Sequence, residues 1–476
     1  MKIFYFIILP LFLLLPGLSC ISRPGGEKAP SVQSSGTDNG PIFIGSKTLY
    51  TPQQTIYAPP PSGYEPVFIN YVGRHGARFL TSADDDIALQ SLLDIAEKQE
   101  GLTAMGRRLK RMLIFFSRIE RNNYGNITLA GRDEQAGIAT RMLNLYPGLF
   151  KGKGMDVIVS QKIRTKQSAE AFLAAFKTYP PEKIHLHTPV DSLNDALCFY
   201  DISPEYKHFE KGPVVRERMD SLANDPRTRE TDLKVASRIF TDQMLVQLKK
   251  GDIDLQVDSK AAGYDMEKFV KNLYALYLIS FAMHKEMAEK DISPDSLNFG
   301  IFFSKEDLAW LNFRDGAEDF LVKGPGLDPA GIQVRNAVPL LIDFINTIDS
   351  SIAYPGQPDA RLRFGHAEAI SPFATLLGIP VASHACSSIF RYADHWNAAS
   401  VMCMSSNIQW ILYANRQQDH LIKVLLNEKE VHLPIATDHY PYYPWNDVKK
   451  YYIGLLSKLH VNLDDDMHAY LQHLQE

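Results

Sequence analysis

A histidine flanked by two arginines stands in the segment Arg74-His75-Gly76-Ala77-Arg78. Guanidinium groups pair with phosphate oxygens through parallel hydrogen bonds and keep their charge at every relevant pH. Neighbouring positive charges disfavour protonation of an imidazole, so a ring nitrogen of His75 stays available to attack phosphorus. Gly76 lets the backbone approach a substrate closely, because it has no side chain. The spacing predicts phosphoryl transfer with His75 as nucleophile and Arg74 and Arg78 as phosphate ligands; the alternative is a surface turn with two solvated arginines.

A second polar motif, Phe364-Gly365-His366-Ala367-Glu368, could supply the remaining chemistry. An alkoxide is a poor leaving group and needs a proton donor. Glu368 can donate that proton and then, as a carboxylate, activate the water that hydrolyses a phosphohistidine. His366 could donate to a phosphoryl oxygen across from His75. Alone the motif is weak, since a single histidine at a strand end is more often structural; together the two motifs favour an acid–nucleophile pair.

Short apolar runs precede both motifs. Residues 67–72 are β-branched and aromatic and predict a buried strand that ends at the first motif. Residues 362–365 predict a strand that ends at the second, and residues 155–160 predict another that leads through Arg164 into a helix. Because open α/β sheets bind ligands beyond the carboxyl ends of their strands, we expect the motifs to meet there.

Helical periodicity dominates between these strands. Apolar residues recur at helical spacing over residues 89–96 and 102–116, and residues 191–343 show mostly helical patterns with no convincing strand. The predicted fold class is therefore α/β, a mostly parallel-sheet three-layer core with an inserted α-helical cap. The predicted core comprises residues 46–190 and 344–476, and the predicted cap insertion comprises residues 191–343.

The C-terminal third returns to strand-like patterns. Residues 408–413 predict a strand, and residues 422–426 and 431–434 could form a hairpin. These segments would complete the sheet that the earlier strands begin.

Composition limits the class of partner. The chain has 476 residues, 45% hydrophobic and 22% charged, which is enough for a large core and for more than one domain. A formal net charge of −5 gives no attraction to nucleic acid, so local cations must attract any anionic substrate. No Cys-x-x-Cys or His-Glu-x-x-His pattern occurs, so we expect no metal and no other cofactor. The expected partner is a small phosphorylated molecule, and no nucleic acid.

The N-terminus has the pattern of an export signal. Residues 3–15 form an apolar run of the length of a signal-peptide h-region, so residues 1–20 predict a signal peptide. Cys20 ends a segment that resembles a relaxed bacterial lipobox, although Gly17 stands where leucine is more usual. We expect lipidation at Cys20, with simple cleavage and soluble export as the alternative. Residues 21–45 predict a flexible tether. The expected location is the bacterial periplasm or the outer membrane, where a lipoprotein could face the cell surface, and the lipid anchor would be the only membrane contact.

Cysteine usage gives no disulfide framework. Beyond the N-terminal segment only Cys198, Cys386 and Cys403 occur, and an odd number leaves at least one thiol free. A bridge between Cys386 and Cys403 stays open.

The pair of motifs, R-H-G-x-R with a distal H-A-E, resembles the histidine acid phosphatases, clade two of the histidine phosphatase superfamily. The H-A-E form, in place of the commoner H-D, is similar to the multiple inositol polyphosphate phosphatases, which act as phytases. Residues 128–131 resemble the family's helix start of the L-T-x-x-G type. Residues 197–201 resemble its L-R-F-x-D segment, with Cys198 where arginine is usual. Residues 407–410 and 424–431 resemble its N-I-Q and V-L-L-N-E-K-E-V strands.

The resemblance extends from about Tyr64 to the C-terminus and implies a role for each matched residue. The implied set is His75 as nucleophile, Arg74, Arg78 and Arg164 as phosphate ligands, His366 completing the pocket, and Glu368 as proton donor. Without the resemblance, the alternative for Arg164 is a solvated arginine at a helix start. The chain lacks most cysteines of the disulfide-linked eukaryotic members, which favours a bacterial origin.

Substrate specificity in this family resides largely in the cap. Further cations that could contact substrate are Arg132, Lys162 and Lys323, and for each a solvated surface position is the simpler interpretation.

Three functions remain open. The first is a phosphohydrolase for inositol polyphosphates such as phytate. The second is a broad-specificity acid phosphatase for sugar phosphates or nucleotides. The third is a non-catalytic surface lipoprotein that captures ligands; an inactive relative would be expected to have lost His75 or Glu368, and both are present.

Overall fold

The described residues begin shortly before the predicted core. The computed structural model describes residues 43–188, 193–251, 253–255, 263–355 and 358–475. The predicted signal peptide, with Cys20, and most of the predicted tether lie outside these residues. The last tether residues lie inside them: Ile44 is buried, and Gly45–Lys47 form a short 3-10 helix. None of the helices in these ranges combines the length and the apolar character needed to cross a membrane.

A single mixed sheet occupies the centre of the described chain. Its strands are β1 Glu65–Arg74, β2 Met155–Val159, β3 Ile184–His187, β4 Ala360–Gly365, β5 Asn407–Ala414, β6 His420–Leu426, β7 Lys429–Glu430 and β8 Tyr442–Pro444. Their order is β3-β2-β4-β1-β5-β6-β7, and β8 also pairs with β6. The pairs from β3 to β1 are parallel. The pairs from β1 outward through β5 are antiparallel. Parallel strands thus form the part of the sheet that holds the predicted motifs.

Many helices surround the sheet. They are α1 Asp84–Lys98, α2 Ala104–Glu120, α3 Leu129–Leu145, α4 Ile163–Leu173, α5 Phe199–Ile202, α6 Pro204–Glu210, α7 Pro213–Ala223, α8 Pro226–Ile239, α9 Asp242–Lys250, α10 Met266–Ser280, α11 His284–Glu289, α12 Lys305–Val322, α13 Ile332–Arg335, α14 Val338–Ala353, α15 Ala367–Leu376, α16 Ala398–Val401, α17 Trp445–Lys458 and α18 Met467–His473. The α/β fold class predicted from the sequence is confirmed.

The packing of β1 shows the three layers, which are the sheet and the helices on each of its faces. Successive side chains of a strand point to opposite faces of the sheet. Ile69 and Tyr71 belong to an apolar core with α3 and α4. Phe68 and Val72 belong to a second core with α14 and α15 on the other face. Helices therefore bury both faces of β1, and this accounts for the nearly continuous apolar run in its sequence.

A third apolar core is built almost entirely from helices. It joins side chains of α1 and α2 to those of α8, α9, α10 and the segment that follows α11. Helices α1 and α2 precede the predicted cap in sequence, yet they pack against helices within it. The boundaries of that cap at residues 191 and 343 stay a prediction.

Two local expectations differ from the structure. Strand β3 was not predicted, because its residues Ile184–His187 form a mostly exposed edge strand with little apolar signal. The hairpin between residues 422–426 and 431–434 was wrong in its second strand: β6 pairs instead with Lys429–Glu430. The reason is a two-residue turn in which Asn427 and Glu428 both have positive φ, which returns the chain at once.

The side-chain positions show whether the cysteines form the disulfide that the sequence left open. Cys198, Cys386 and Cys403 are all free thiols. The bridge between Cys386 and Cys403 is not formed.

Candidate active site

Three parallel strands end at one point, and each delivers a polar residue there. His75 follows β1, Ser160 follows β2 and His366 follows β4. The backbone N–H of His75 donates to the carbonyl of Gly365 at 3.0 Å, and that of Ser160 donates to the carbonyl of Phe364 at 3.1 Å. The rings of His75 and His366 consequently lie 5.4 Å apart between centroids, edge to face. The two sequence motifs are brought together as predicted.

Hydrogen bonding fixes which nitrogen of His75 is free. Its Nδ1 lies 2.9 Å from the carbonyl oxygen of Gly76. A carbonyl only accepts, so Nδ1 carries the proton and Nε2 keeps its lone pair. Burial, reinforced by the charge of Arg74, holds the pKa of His75 well below its usual value. The ring is therefore a neutral imidazole with an unprotonated Nε2, the form a nucleophile requires.

The three predicted phosphate ligands surround this histidine, and two of them are anchored by backbone carbonyls. Arg74 is buried and donates through Nη1 to the carbonyls of Ser46, at 2.6 Å, and Met402. Arg78 donates through Nη1 to the carbonyl of Phe79 at 2.7 Å. These bonds hold each guanidinium in one orientation while leaving other N–H groups for a ligand.

Arg164 joins the cluster from the first turn of α4. Its Nη2 lies 3.4 Å from Nδ1 of His366. The Nε atoms of Arg164 and Arg74 are buried and have no hydrogen-bond acceptor among the described residues. Unpaired buried donors are unfavourable, and a phosphate would satisfy such donors.

His366 bridges β4 and β2. Its Nε2 lies 2.8 Å from Oγ of Ser160. Because Arg164 can only donate, Nδ1 of His366 is the acceptor in this arrangement and Nε2 carries the proton. Burial, with the charge of Arg164, lowers the pKa of His366 to about 3. Donation by Nδ1 to a phosphoryl oxygen, the role expected from the sequence, therefore requires the other tautomer, which the Ser160 hydroxyl permits because it both donates and accepts.

Glu368 stands in the first turn of α15, three residues after β4 ends at Gly365. Its side chain is 31% exposed, so it can reach a bound molecule. Oε1 lies 3.2 Å from Nζ of Lys323. Burial alone would raise the pKa of Glu368, but the charge of Lys323, aided by His366, outweighs burial and holds this pKa below its usual value. Without a ligand, Glu368 is an ionised carboxylate.

A half-buried acid and a buried amide on α3 brace the loop that carries His75. Oε2 of Glu134 accepts from the N–H of Ala77 and from Oγ of Ser405, both at 2.8 Å. Nε2 of Gln135 donates to the carbonyl of Arg74 at 2.9 Å. Neither Glu134 nor Gln135 was predicted from the sequence. Their only sequence signal is their place one turn after the predicted start of α3.

The loop and α3 also touch backbone to backbone. Thr128 caps α3 by accepting from the N–H of Gly131. A Cβ on Gly76 would overlap the carbonyl oxygen of Gly131, and a Cβ on Gly131 would overlap that of Ala77. Ser168 on α4 accepts from the N–H of Gly76 at 3.0 Å. Glycine is thus required on both sides of this contact for steric reasons.

The other cations predicted to contact substrate lie in different positions. Lys323 lies in the cluster as an ion-pair partner of Glu368. Lys162 is exposed at the start of α4, near enough for its charge to lower the pKa of His366. Arg132 is exposed on α3 and forms no ion pair within the described residues. A cation that the sequence analysis missed, Lys47, lies near Arg74 and has its pKa lowered to about 8, chiefly by burial.

Metal-ligating side chains are not gathered in the described ranges: no group of three or more His, Cys, Asp or Glu residues there could hold a metal ion. The positive charge of the site comes from its arginines and lysines.

Comparisons with known proteins bear on the family and the fold of this chain. The sequence model of the family described as "Histidine phosphatase superfamily (branch 2)" matches residues 67–427. No curated protein matches the sequence. The crystal structure of Bifidobacterium longum multiple inositol polyphosphate phosphatase in complex with inositol hexasulfate has 24% identity and a TM-score of 0.75, covering 86% of this chain and 96% of that chain. The complex of the same enzyme with phosphate has 23% identity and a TM-score of 0.74, covering 89% and 99%. The phytase from D. castellii has 14% identity and a TM-score of 0.53, covering 87% and 85%. These structural similarities are similarities of fold.

Proposed function

The chain belongs to branch 2 of the histidine phosphatase superfamily, and we propose that this phosphatase hydrolyses inositol polyphosphates such as phytate through a phosphohistidine on His75. The observation that carries the proposal is the neutral His75, with its Nε2 unprotonated, inside a cluster of three arginines. Glu368 at the edge of the same cluster serves as the proton donor.

In the first step, Nε2 of His75 attacks phosphorus and forms a P–N bond. The bond between phosphorus and the inositol oxygen breaks, and protonated Glu368 gives its proton to that oxygen. Arg74, Arg78 and Arg164 neutralise the charge that spreads over the equatorial oxygens of the transferring group. The dephosphorylated alcohol leaves.

In the second step, the carboxylate of Glu368 takes a proton from water. The resulting hydroxide attacks phosphorus, the P–N bond breaks, and its electron pair returns to Nε2 of His75. Inorganic phosphate leaves, and both groups regain their starting protonation states. One pair of side chains thus serves both halves of the cycle.

The preference for a polyphosphorylated substrate is supported by the surplus of cations. One phosphoryl group can be held by the three arginines, whereas Lys47, Lys162 and Lys323 add positive charge close by. A substrate with several phosphates can pair with this excess, and a simple monoester cannot. The H-A-E form of the second motif and the fold shared with an inositol polyphosphate phosphatase point the same way.

A time course on phytate, with inositol phosphate products resolved by chromatography, tests the proposal beside a parallel course on para-nitrophenyl phosphate. We expect phytate to be hydrolysed with the higher kcat/KM and to pass through discrete lower phosphates. Comparable efficiency on both substrates would favour the broad-specificity acid phosphatase. Absence of turnover on either would favour the ligand-capturing lipoprotein.

We also propose that the enzyme is exported and anchored by a lipid on Cys20. The support is the apolar run of residues 3–15 followed by a lipobox-like segment. Mass spectrometry of protein from a lipoprotein-competent host, beside a Cys20→Ser variant, tests this. An unmodified, soluble wild-type chain would contradict the anchor.

A further inference from the structure

A lysine at the end of α12 connects two carboxylates at the edge of the site. Nζ of Lys323 lies 2.8 Å from Oδ1 of Asp319 and 3.2 Å from Oε1 of Glu368. Asp319 precedes Lys323 by one helical turn, whereas Glu368 comes from α15. The lysine therefore ties the proposed proton donor to a different part of the chain.

The backbone of this lysine is held in place. The N–H groups of Lys323 and Gly324 both donate to the carbonyl of Asp319 at 2.9 Å. Gly324 packs so closely that a Cβ there would lie 2.8 Å from the carbonyl oxygen of Phe320. Nε2 of Gln333 donates to the carbonyl of Pro325 at 3.1 Å. The side chain of Lys323 is 22% exposed, and its flexible four-carbon stem lets the ammonium group take up other positions from this fixed backbone.

This ion pair conflicts with the chemistry of a proton donor. A carboxylate bound to an ammonium group stays ionised, because the pair stabilises its charged form. A general acid must instead hold a proton when the leaving group departs. The pair must therefore loosen once substrate is bound.

We propose that Lys323 is a positioning residue for Glu368 and that a second phosphate group on the substrate draws its ammonium off the carboxylate. The proposal rests on the proposed function, since it assumes that Glu368 is the acid. Asp319 keeps the ammonium near the site throughout, so the side chain moves between two anionic partners without losing both. A polyphosphorylated substrate thereby frees Glu368 from the ion pair, so that Glu368 can hold the proton needed for cleavage. A monophosphate has no second phosphate group to do this.

Other charged groups face Glu368 and stay the same in this exchange. They are the cations Arg74, Arg78 and Arg164, the ring of His366, and the acidic or phenolic groups of Asp201, Glu210, Tyr200 and Tyr206. Among the described residues, Lys323 is the cation that forms an ion pair with the carboxylate of Glu368. Its removal should therefore have the largest effect on the pH dependence of the acid.

The test measures kcat and KM against pH for wild type, Lys323→Met, Lys323→Arg and Asp319→Asn. The substrates are phytate, myo-inositol monophosphate, which has the same kind of leaving group, and para-nitrophenyl phosphate, which needs no proton donor. Circular dichroism and thermal unfolding establish that each variant is folded.

For the monophosphate, Lys323→Met should move the basic limb of kcat/KM to higher pH by about one to three units, since an opposing charge has been removed. Asp319→Asn should move it to lower pH, because Lys323 then pairs with Glu368 alone. Lys323→Arg should stay close to wild type. In Lys323→Met the ratio of kcat on phytate to kcat on the monophosphate should fall about tenfold, because the monophosphate no longer meets the ion pair whereas phytate already displaces it; a factor of ten corresponds to one pKa unit of the acid.

Shifts in the same direction for Lys323→Met and Asp319→Asn, or no shift, would overturn the proposal, as would an equal loss on all three substrates. The monophosphate measurements do not depend on phytate being a substrate. If wild type fails on phytate but the limbs still move in opposite directions, the substrate assignment fails and the role of Lys323 stands.

Discussion

His75 and His366 lie with their ring centroids 5.4 Å apart although their motifs are far apart in sequence. The cause is the parallel pairing of β1 and β4, in which Arg74 is the register partner of Gly365. Each histidine is the next residue after this last pair, so both side chains reach the same edge of the sheet. The site is thus built by strand register.

His75→Ala should abolish phosphate release while the fold persists. The reason is that the P–N bond can form only on Nε2 of this ring, and loss of a nucleophile costs roughly 10⁴-fold or more in kcat. Release of phosphate from para-nitrophenyl phosphate is the measurement, with circular dichroism as the test of folding. His384→Ala, at an exposed histidine, is the matched control. Turnover by His75→Ala within tenfold of wild type would refute the assignment.

Glu368→Gln should slow hydrolysis according to the leaving group. The amide has nearly the same shape but cannot give up a proton, and general acid catalysis contributes about 10² to 10⁴-fold for a poor leaving group. We expect a loss of this size in kcat/KM on inositol phosphates and a much smaller loss in kcat/KM on para-nitrophenyl phosphate, because kcat/KM reports the first step and the hydrolysis of the phosphohistidine is common to both substrates. Steady-state kinetics on both substrates measures it. Equal losses would count against Glu368 as the acid.

Activity should persist on the acid side of neutrality. The nucleophile is the neutral form of His75, and the protonated fraction grows only as pH falls through its pKa. Burial and the charge of Arg74 hold that pKa well below 6.5, so the ring stays neutral through the pH range in which a free histidine gains its proton. The kcat/KM for para-nitrophenyl phosphate, corrected for ionisation of the substrate, should be flat over this range. A fall with a midpoint near 6.5 would show an unperturbed histidine instead.

Gly131→Ala should destabilise the protein although alanine favours helices. Alanine normally gains up to about 1 kcal/mol over glycine in a helix, but here its Cβ would overlap the carbonyl oxygen of Ala77 in the catalytic loop. We expect a net loss of about 1–3 kcal/mol in the free energy of unfolding, with reduced activity.

The control for this change lies on the same helix. At Gly137 a Cβ would meet only the flexible end of Arg141 at 3.0 Å. Gly137→Ala should therefore be neutral or slightly stabilising in urea denaturation. If both variants behaved alike, the close contact between loop and helix would not matter.

Local sequence patterns were enough to predict a phosphatase and the strands that carry its two motifs. The strands before His75 and His366 are buried on both faces. Such strands have nearly continuous apolar sequences, which can be recognised without a structure. The spacing of arginines around His75 and the acid after His366 are also local, so the nucleophile and the candidate acid were readable without a structure. The helix start at residues 128–131 was indicated by the family resemblance, and Thr128 caps α3 there.

The contacts around those residues could be identified only from the folded structure. The bracing by Glu134 and Gln135, the tautomer of His75, and the ion pair between Lys323 and Glu368 all join parts of the chain far apart in sequence. Lys323 shows the difference most clearly: its residue type suggested a substrate contact, whereas its position makes it the partner of the acid. Side-chain direction and partner choice depend on how α12 and α15 pack, and no local pattern contains that information.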